Sequence, residues 1–197
     1  AANAAHEKGH QVVVMEKEKE LGGHLHLASI PPGREEIDRF REFLLKRLKR
    51  AGVKVITGEE AIASFLRSER PDVLILAIGS KPKTFDIPGL DQSRILTAWE
   101  VLSGKKTPEE PCLVLGAGLV GCETADFLAE QGKKVVLVEV LPEMGTGADG
   151  DTKAYFNQRF QKHGVRVFTS TELHRVDGKT AILRRENDET RIEIGTV

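Results

Sequence analysis

Apolar positions along the chain recur in one order, met twice. An alanine-rich opening stretch reaches Gly9, and Val12 to Met15 then form an apolar, mostly β-branched run closed by Glu16 and Lys17. Such a run, too short for a helix and bounded by a glycine turn, predicts a buried strand that follows a helix. Ala125 to Gln131, Gly132, Val135 to Val138 and Glu139 repeat the sequence of helix, turn, strand and acid. Gly132 and Glu139 each stand 123 positions after their counterparts Gly9 and Glu16, and Met144-Gly145 falls on Leu21-Gly22 at the same spacing. A second strand is predicted in each copy, Gly52 to Thr57 and Gly164 to Thr169, now 112 positions apart. Between strands, Ile37, Phe40, Leu44 and Leu48 keep the i, i+3, i+4 spacing of a helix with a core-facing stripe and a solvated basic side.

Alternating strands and helices in a long internal repeat predict an α/β fold of two Rossmann-like, three-layer dinucleotide-binding units, not a solenoid of short repeats. The breaker-rich span from Pro88 to Pro111 marks the boundary, giving a first unit with its linker over 1–107 and a second over 108–197. Carried back by the repeat spacing, the glycine turn of the second copy falls before residue 1, so the first unit is expected to lack its opening strand and phosphate loop. Asp72 to Ala77 is expected as that unit's final strand, and the second copy stops at Gly195-Thr196-Val197 as it enters the same element. The chain is therefore expected to be a piece of a longer protein.

The chemistry concentrates after the predicted strand Cys112 to Leu115. Gly116-Ala117-Gly118-Leu119-Val120-Gly121 is a G-x-G-x-x-G run between a strand and a helix, the context that makes it a dinucleotide fingerprint. Its first glycine permits the tight turn, its second lets backbone approach a pyrophosphate, and its third lets helix and strand pack closely. The helix N-terminus offers free N–H groups and a positive dipole end to phosphate. Glu139 ends the next strand 23 residues after Gly116, where a carboxylate accepts from the adenosine ribose hydroxyls and repels a 2′-phosphate. NAD(H) is thus the expected cofactor of the second unit. Glu16 is the equivalent acid of the first copy, and two readings of it stand: a ribose acceptor for a second dinucleotide, or a solvated strand end. His24 and His26 alternate on what reads as an extended segment, with no Cys or carboxylate at metal-ligand spacing. Cys122, one turn into the helix, is expected to be buried.

Charge and composition narrow the classes. Twenty-nine basic residues against 30 acidic leave a net charge of −1, giving no field to draw the chain onto nucleic acid or an anionic membrane. No apolar run is long enough for a membrane span. Two cysteines, outside any C-x-x-C pair, give no disulfide framework and point to a reducing cytoplasm. Oligomeric state is left open.

Several stretches together resemble the NADH:flavin oxidoreductases of the 2,4-dienoyl-CoA reductase type, related to trimethylamine dehydrogenase: Glu16-Lys17 with Leu21-Gly22-Gly23, Ile30 to Glu36, Leu76 to Pro82, Ile87-Pro88-Gly89 and Gly118 to Ala125. The wider group is the two-dinucleotide fold of the pyridine nucleotide-disulfide oxidoreductases. The resemblance implies that the first copy binds FAD in the intact protein and the second NAD(P)H, with hydride passing from nicotinamide to flavin. It implies further that Glu16 contacts the FAD ribose, that Gly22 and Gly23 line the flavin domain, and that Ala61 lies near the FAD adenine. Lys17, Ala77 and Gly79 fall within the matched stretches and join this cofactor-binding set. His24 departs from the family's usual Gln or Asn. The resemblance also implies an N-terminal flavin barrel with an iron–sulfur cluster as the partner domain. With its phosphate loop expected to be missing, the chain alone is expected to be colourless and inactive. A disulfide reductase would need a redox Cys pair near the flavin, and the segment after Lys17 has none. No acid, base or nucleophile is named, since hydride transfer to a flavin asks chiefly for alignment of two cofactor rings.

Overall fold

The structure is a computed structural model that describes residues 1–83 and 85–197. The chain divides into two compact units, Ala1–Ser29 with Gly33–Lys81, and Ile30–Pro32 with Pro82–Val197.

In the first unit, helix α1 (Ala2–Glu7) leads to β1 (Val13–Glu16), followed by α2 (His24–Ala28), α3 (Glu35–Arg50), β2 (Lys54–Thr57) and α4 (Ala63–Glu69). β1 and β2 pair in parallel, with Val13 opposite Lys54 and Glu16 opposite Thr57. α3 begins with Glu35, Glu36 and Asp38 and ends with Arg47, Lys49 and Arg50, charges that complement the helix dipole at both ends. It packs against α1 and α2. Its expected stripe is only partly covered: Leu48 is buried, Ile37 and Leu44 are half-buried, and Phe40 lies exposed, because a two-stranded sheet offers little face to bury a four-turn helix. His24 and His26 lie on α2 and not on an extended segment, since Gly23, at φ +47°, turns the chain directly into a helix.

The expected strand at Asp72 to Ala77 does not form. A parallel strand needs a neighbour to take its backbone groups. Among the described residues nothing pairs with this stretch, and Val73, Ile75, Leu76 and Ile78 are 76%, 61%, 69% and 86% exposed.

The second unit is a three-layer sandwich. After α5 (Ala98–Leu102), the strands β3 (Cys112–Leu115), β4 (Val135–Val138) and β5 (Arg166–Phe168) form a parallel sheet in the order β3-β4-β5, connected by α6 (Leu119–Glu130) and α7 (Gly150–His163). One face of the sheet, through Cys112, Val135 and Leu137, packs on Cys122, Ala125 and Leu128 of α6 and Phe156 and Phe160 of α7. The opposite face, through Leu113, Val136 and Val138, is covered by an antiparallel meander of β6 (Glu172–Asp177), β7 (Thr180–Arg185) and β8 (Asp188–Glu193). The meander was not foreseen. At the end of the chain Thr196 bridges Cys112 in parallel, and its carbonyl accepts from the Leu113 N–H at 2.8 Å, which extends the sheet on the far side of β3. Arg94 holds this segment by donating to the carbonyls of Ile194 and Gly195.

The internal repeat survives at the level of register. Val136, Leu137 and Val138 stand opposite Arg166, Val167 and Phe168, and their counterparts Val13, Val14 and Met15 stand opposite Lys54, Val55 and Ile56. No helix among the described residues is long and apolar enough to cross a membrane.

Candidate functional site

The site of the second unit is built where β3 stops. Gly116 turns the chain at φ +94°, a conformation that favours glycine, and donates its N–H to the Val138 carbonyl at 2.8 Å. Ala117 follows, fully buried, with both sides of its backbone engaged. Its N–H donates to Glu139 Oε2 at 2.7 Å; its carbonyl accepts from the Gly145 N–H at 2.6 Å and from the Cys122 thiol at 3.3 Å. Gly118 caps α6. A Cβ built on it would meet nothing within 4 Å, so the space in front of it is open. Gly121 is the opposite case, since a Cβ there would stand 1.8 Å from the Gly116 carbonyl oxygen. The first helical donor to bond back is Cys122, whose N–H reaches the Gly118 carbonyl at 2.9 Å. The N–H groups of Leu119, Val120 and Gly121 precede it at the positive end of the helix dipole, without intrahelical acceptors. Leu119 and Val120 are 37% and 54% exposed, so this end of the helix faces open space.

Glu139 ends β4 and is only 7% exposed. Besides Ala117, it accepts through Oε1 from the Leu141 N–H at 2.9 Å, while its own N–H donates to the Phe168 carbonyl and its carbonyl accepts from Thr171. Beside it, Val140, Ser170, Thr171, Glu172, Arg184 and Glu186 line a cavity of about 320 Å³. Two contacts here were not read from the sequence. Gly145 and Thr146, the latter in a parallel bridge with Gly118, form a second wall to the glycine loop. The signal for them was present, because the repeat spacing puts Gly145 on Gly22, itself a candidate. Ser170 to Glu172, reached from the end of β5, carried no recognisable motif.

Behind the loop, burial pushes the Cys122 thiol up to about 11, and that of Cys112 likewise. Neither is a thiolate nucleophile at neutral pH. α6 and α7 are tied by Arg159, which donates to both oxygens of the buried Asp126 at 2.6 and 2.7 Å and to Glu130 at 2.9 Å; these carboxylates raise the Arg159 pKa, Asp126 most strongly.

In the first unit Glu16 Oε1 accepts from the Glu18 N–H at 2.9 Å, the counterpart of the bond from Leu141 to Glu139. Lys17 is exposed beside it. Gly22 is at φ +116°, with the Arg41 side chain 2.6 Å from where its Cβ would stand, and Gly23 follows as the cap of α2. Gly79, at φ +72°, comes close to the His24 ring, which lies 3.5 Å from the position of a Cβ. Ala61 and Ala77 are exposed.

A glycine loop between a buried strand and a helix N-terminus, with a carboxylate at the end of the neighbouring parallel strand, is the arrangement of a Rossmann-type dinucleotide-binding unit. The chain matches the pyridine nucleotide-disulphide oxidoreductase family over residues 1–197, and belongs to that family. It is 42% identical over 173 residues to an NADH oxidase of Thermoanaerobacter brockii, covering 86% of this chain and 27% of that protein. It is 34% identical over 194 residues to a bilirubin reductase of Mediterraneibacter gnavus (strain CC55_001C), covering 98% of this chain and 30% of that protein. The solved structure of a 2-naphthoyl-CoA reductase in complex with 2-naphthoyl-CoA shares the fold, with a TM-score of 0.92 at 24% identity over 100% of this chain and 30% of that one. The chain thus spans less than a third of the length of these relatives.

Proposed function

We propose that the second unit binds NAD(H), its pyrophosphate at the N-terminus of α6 and its adenosine ribose at Glu139. The observation that carries this reading is the Glu139 carboxylate, held 2.7 Å from the Ala117 N–H of the glycine loop, so that a ribose acceptor and a phosphate cradle stand side by side. Leu119, Val120 and Gly121 supply N–H groups to the pyrophosphate, and the open space before Gly118 admits it. The adenine end lies toward the cavity lined by Val140 and Thr171. In the intact protein, NAD(P)H would deliver hydride to FAD held by the first unit at Glu16, Lys17, Gly22, Gly23, Ala61, Ala77 and Gly79. We read that protein as an NADH-dependent flavoprotein oxidoreductase of the 2,4-dienoyl-CoA reductase type, whose further domain is a flavin and iron–sulfur barrel. The name of one relative, an NADH oxidase, supports NADH as the donor, and that of another, a bilirubin reductase, supports a reductive reaction.

For the chain by itself a second reading is favoured by one observation: among the described residues only the second unit carries a glycine phosphate loop. On that reading it holds NAD or ADP without turnover, and FAD is not retained. Calorimetric titration of the chain with NADH, NAD, ADP and FAD tests both. The expected result is saturable binding of the three adenine nucleotides that share the site and none of FAD; absence of NADH and ADP binding would reject the site assignment.

A further inference from the structure

The Glu139 carboxylate has a second role that ribose recognition alone does not require. A carboxylate offers about four acceptor positions. Two are occupied here by backbone, Leu141 N–H on Oε1 and Ala117 N–H on Oε2, which leaves two for ribose hydroxyls. The bond to the residue two positions on also occurs in the first unit, from Glu18 to Glu16, so it suffices as the local turn that orients the acid. The bond to Ala117 reaches back across 22 residues to the phosphate loop.

Ala117 is where that loop is fastened. Its methyl is buried with no exposure, its carbonyl is held by Gly145 and Cys122, and, among the described residues, its N–H is held only by Glu139. The Ala117 N–H is therefore withdrawn from the phosphate, whose donors are those of the following residues. The orientation of the Ala117 peptide in turn sets where Gly118 and the first turn of α6 present them. A buried N–H deprived of its charged acceptor carries the full penalty of an unsatisfied donor, and the peptide would turn to find another partner.

We infer that Glu139 is a positioning residue of the phosphate loop as well as the ribose acceptor, so that one side chain couples recognition of the two halves of ADP. The inference rests on the proposed nucleotide site. Its test separates the two roles by ligand. ADP presents ribose hydroxyls to Glu139, whereas 2′,3′-dideoxyadenosine diphosphate presents only the pyrophosphate and base. In Glu139→Gln one oxygen becomes an amide that faces a backbone N–H, at constant size. The expected result is that this variant, still folded by circular dichroism, loses about ten-fold or more in affinity for the dideoxy nucleotide as well as for ADP. The Ala117 amide should also exchange with solvent faster in the variant when no nucleotide is present.

Weakening of ADP alone, with dideoxy nucleotide affinity and Ala117 exchange unchanged, would overturn the positioning role. If the wild type binds neither nucleotide, the proposed site fails, and Ala117 exchange still decides this inference: faster exchange in the variant upholds it and unchanged exchange rejects it. Should Glu139→Gln not fold, Glu139→Asp, which keeps both oxygens but retracts them by one methylene, is read by the same two measurements.

Discussion

Gly118 and Gly121 lie three residues apart in one fingerprint, yet their substitution should fail in different ways. A methyl group at Gly121 would sit 1.8 Å from the Gly116 carbonyl oxygen and 2.9 Å from its carbon, so the β3–α6 turn must open by more than an ångström. Overpacking of this kind costs about 3 kcal/mol when the obstacle is backbone. Replacing glycine within a helix returns about 1 kcal/mol of propensity. The difference, about 2 kcal/mol, should lower the melting temperature by roughly 4–8 °C for a chain of this size. Gly118 has φ −66° and open space before it, so Gly118→Ala should change stability by less than about 0.5 kcal/mol. Its methyl enters the volume proposed for the pyrophosphate, and NADH and NADPH should both weaken by about ten-fold or more, near 1.4 kcal/mol. Thermal melts by circular dichroism, paired with NADH titration at a temperature where each variant is folded, read the two effects separately. If Gly118→Ala melts as early as Gly121→Ala, or binds NADH like the wild type, the division of labour argued from the two Cβ environments is wrong.

Wild-type chain should bind NADH at least about ten-fold more tightly than NADPH, and Glu139→Ala should collapse that ratio; an unchanged ratio in parallel titrations would mean that another residue reads the ribose. Arg159→Ala leaves the 1%-exposed Asp126 without its partner and should destabilise by about 3–5 kcal/mol, whereas Arg159→Leu combined with Asp126→Leu should recover most of the loss in urea melts. Burial raises both thiols to about 11 from an ordinary value of 9.0, so their stabilising contribution is complete below pH 9 and drains as pH rises through 11; alanine at Cys112 and Cys122 should flatten the stability profile over that window. Glu100, held down to about 2 by Lys106 and then by the Thr97 backbone, contributes stability above pH 4.5 that is lost as pH falls toward 2, and Lys106→Ala should shrink this acid-limb loss in pH-dependent melts.

The parallel strands and the glycine turn between β3 and α6 were legible because they combine two strong signals: continuous apolar runs and a glycine pattern in fixed order. The meander over β6 to β8 was missed although its turns carry ordinary hairpin chemistry. Asp177 pairs with Thr180 across Gly178 at φ +58°, and Arg185 pairs with Asp188 across Glu186 at φ +53°. Its strands mix Arg, Glu and Asp with Leu and Ile because only one face is covered, so no apolar run announced them. The error at Asp72 to Ala77 was of another kind. The local propensity there is for strand, but a parallel strand is a property of a pair, and propensity says nothing about whether a neighbour is at hand. Phe40 tells the same story for a helix, since periodicity identifies the stripe but not the surface that will cover it. The engagement of Ala117 by Glu139 could not be read at all, because it depends on a carboxylate folding back across 22 residues.

Val73-Leu74-Ile75-Leu76-Ala77-Ile78 combines no charge, no proline and high strand propensity with side chains that are all exposed. Six residues of that composition are the size and kind of segment that stacks in register with copies of itself, chain upon chain, once it can find them. A stretch of this kind is an aggregation hazard that the chain's nearly balanced charge does little to offset, and its self-association should be looked for by light scattering as the chain is concentrated. The glycines before α6 close a turn onto its neighbours, while the unpaired stretch leaves its backbone groups free to pair with another chain.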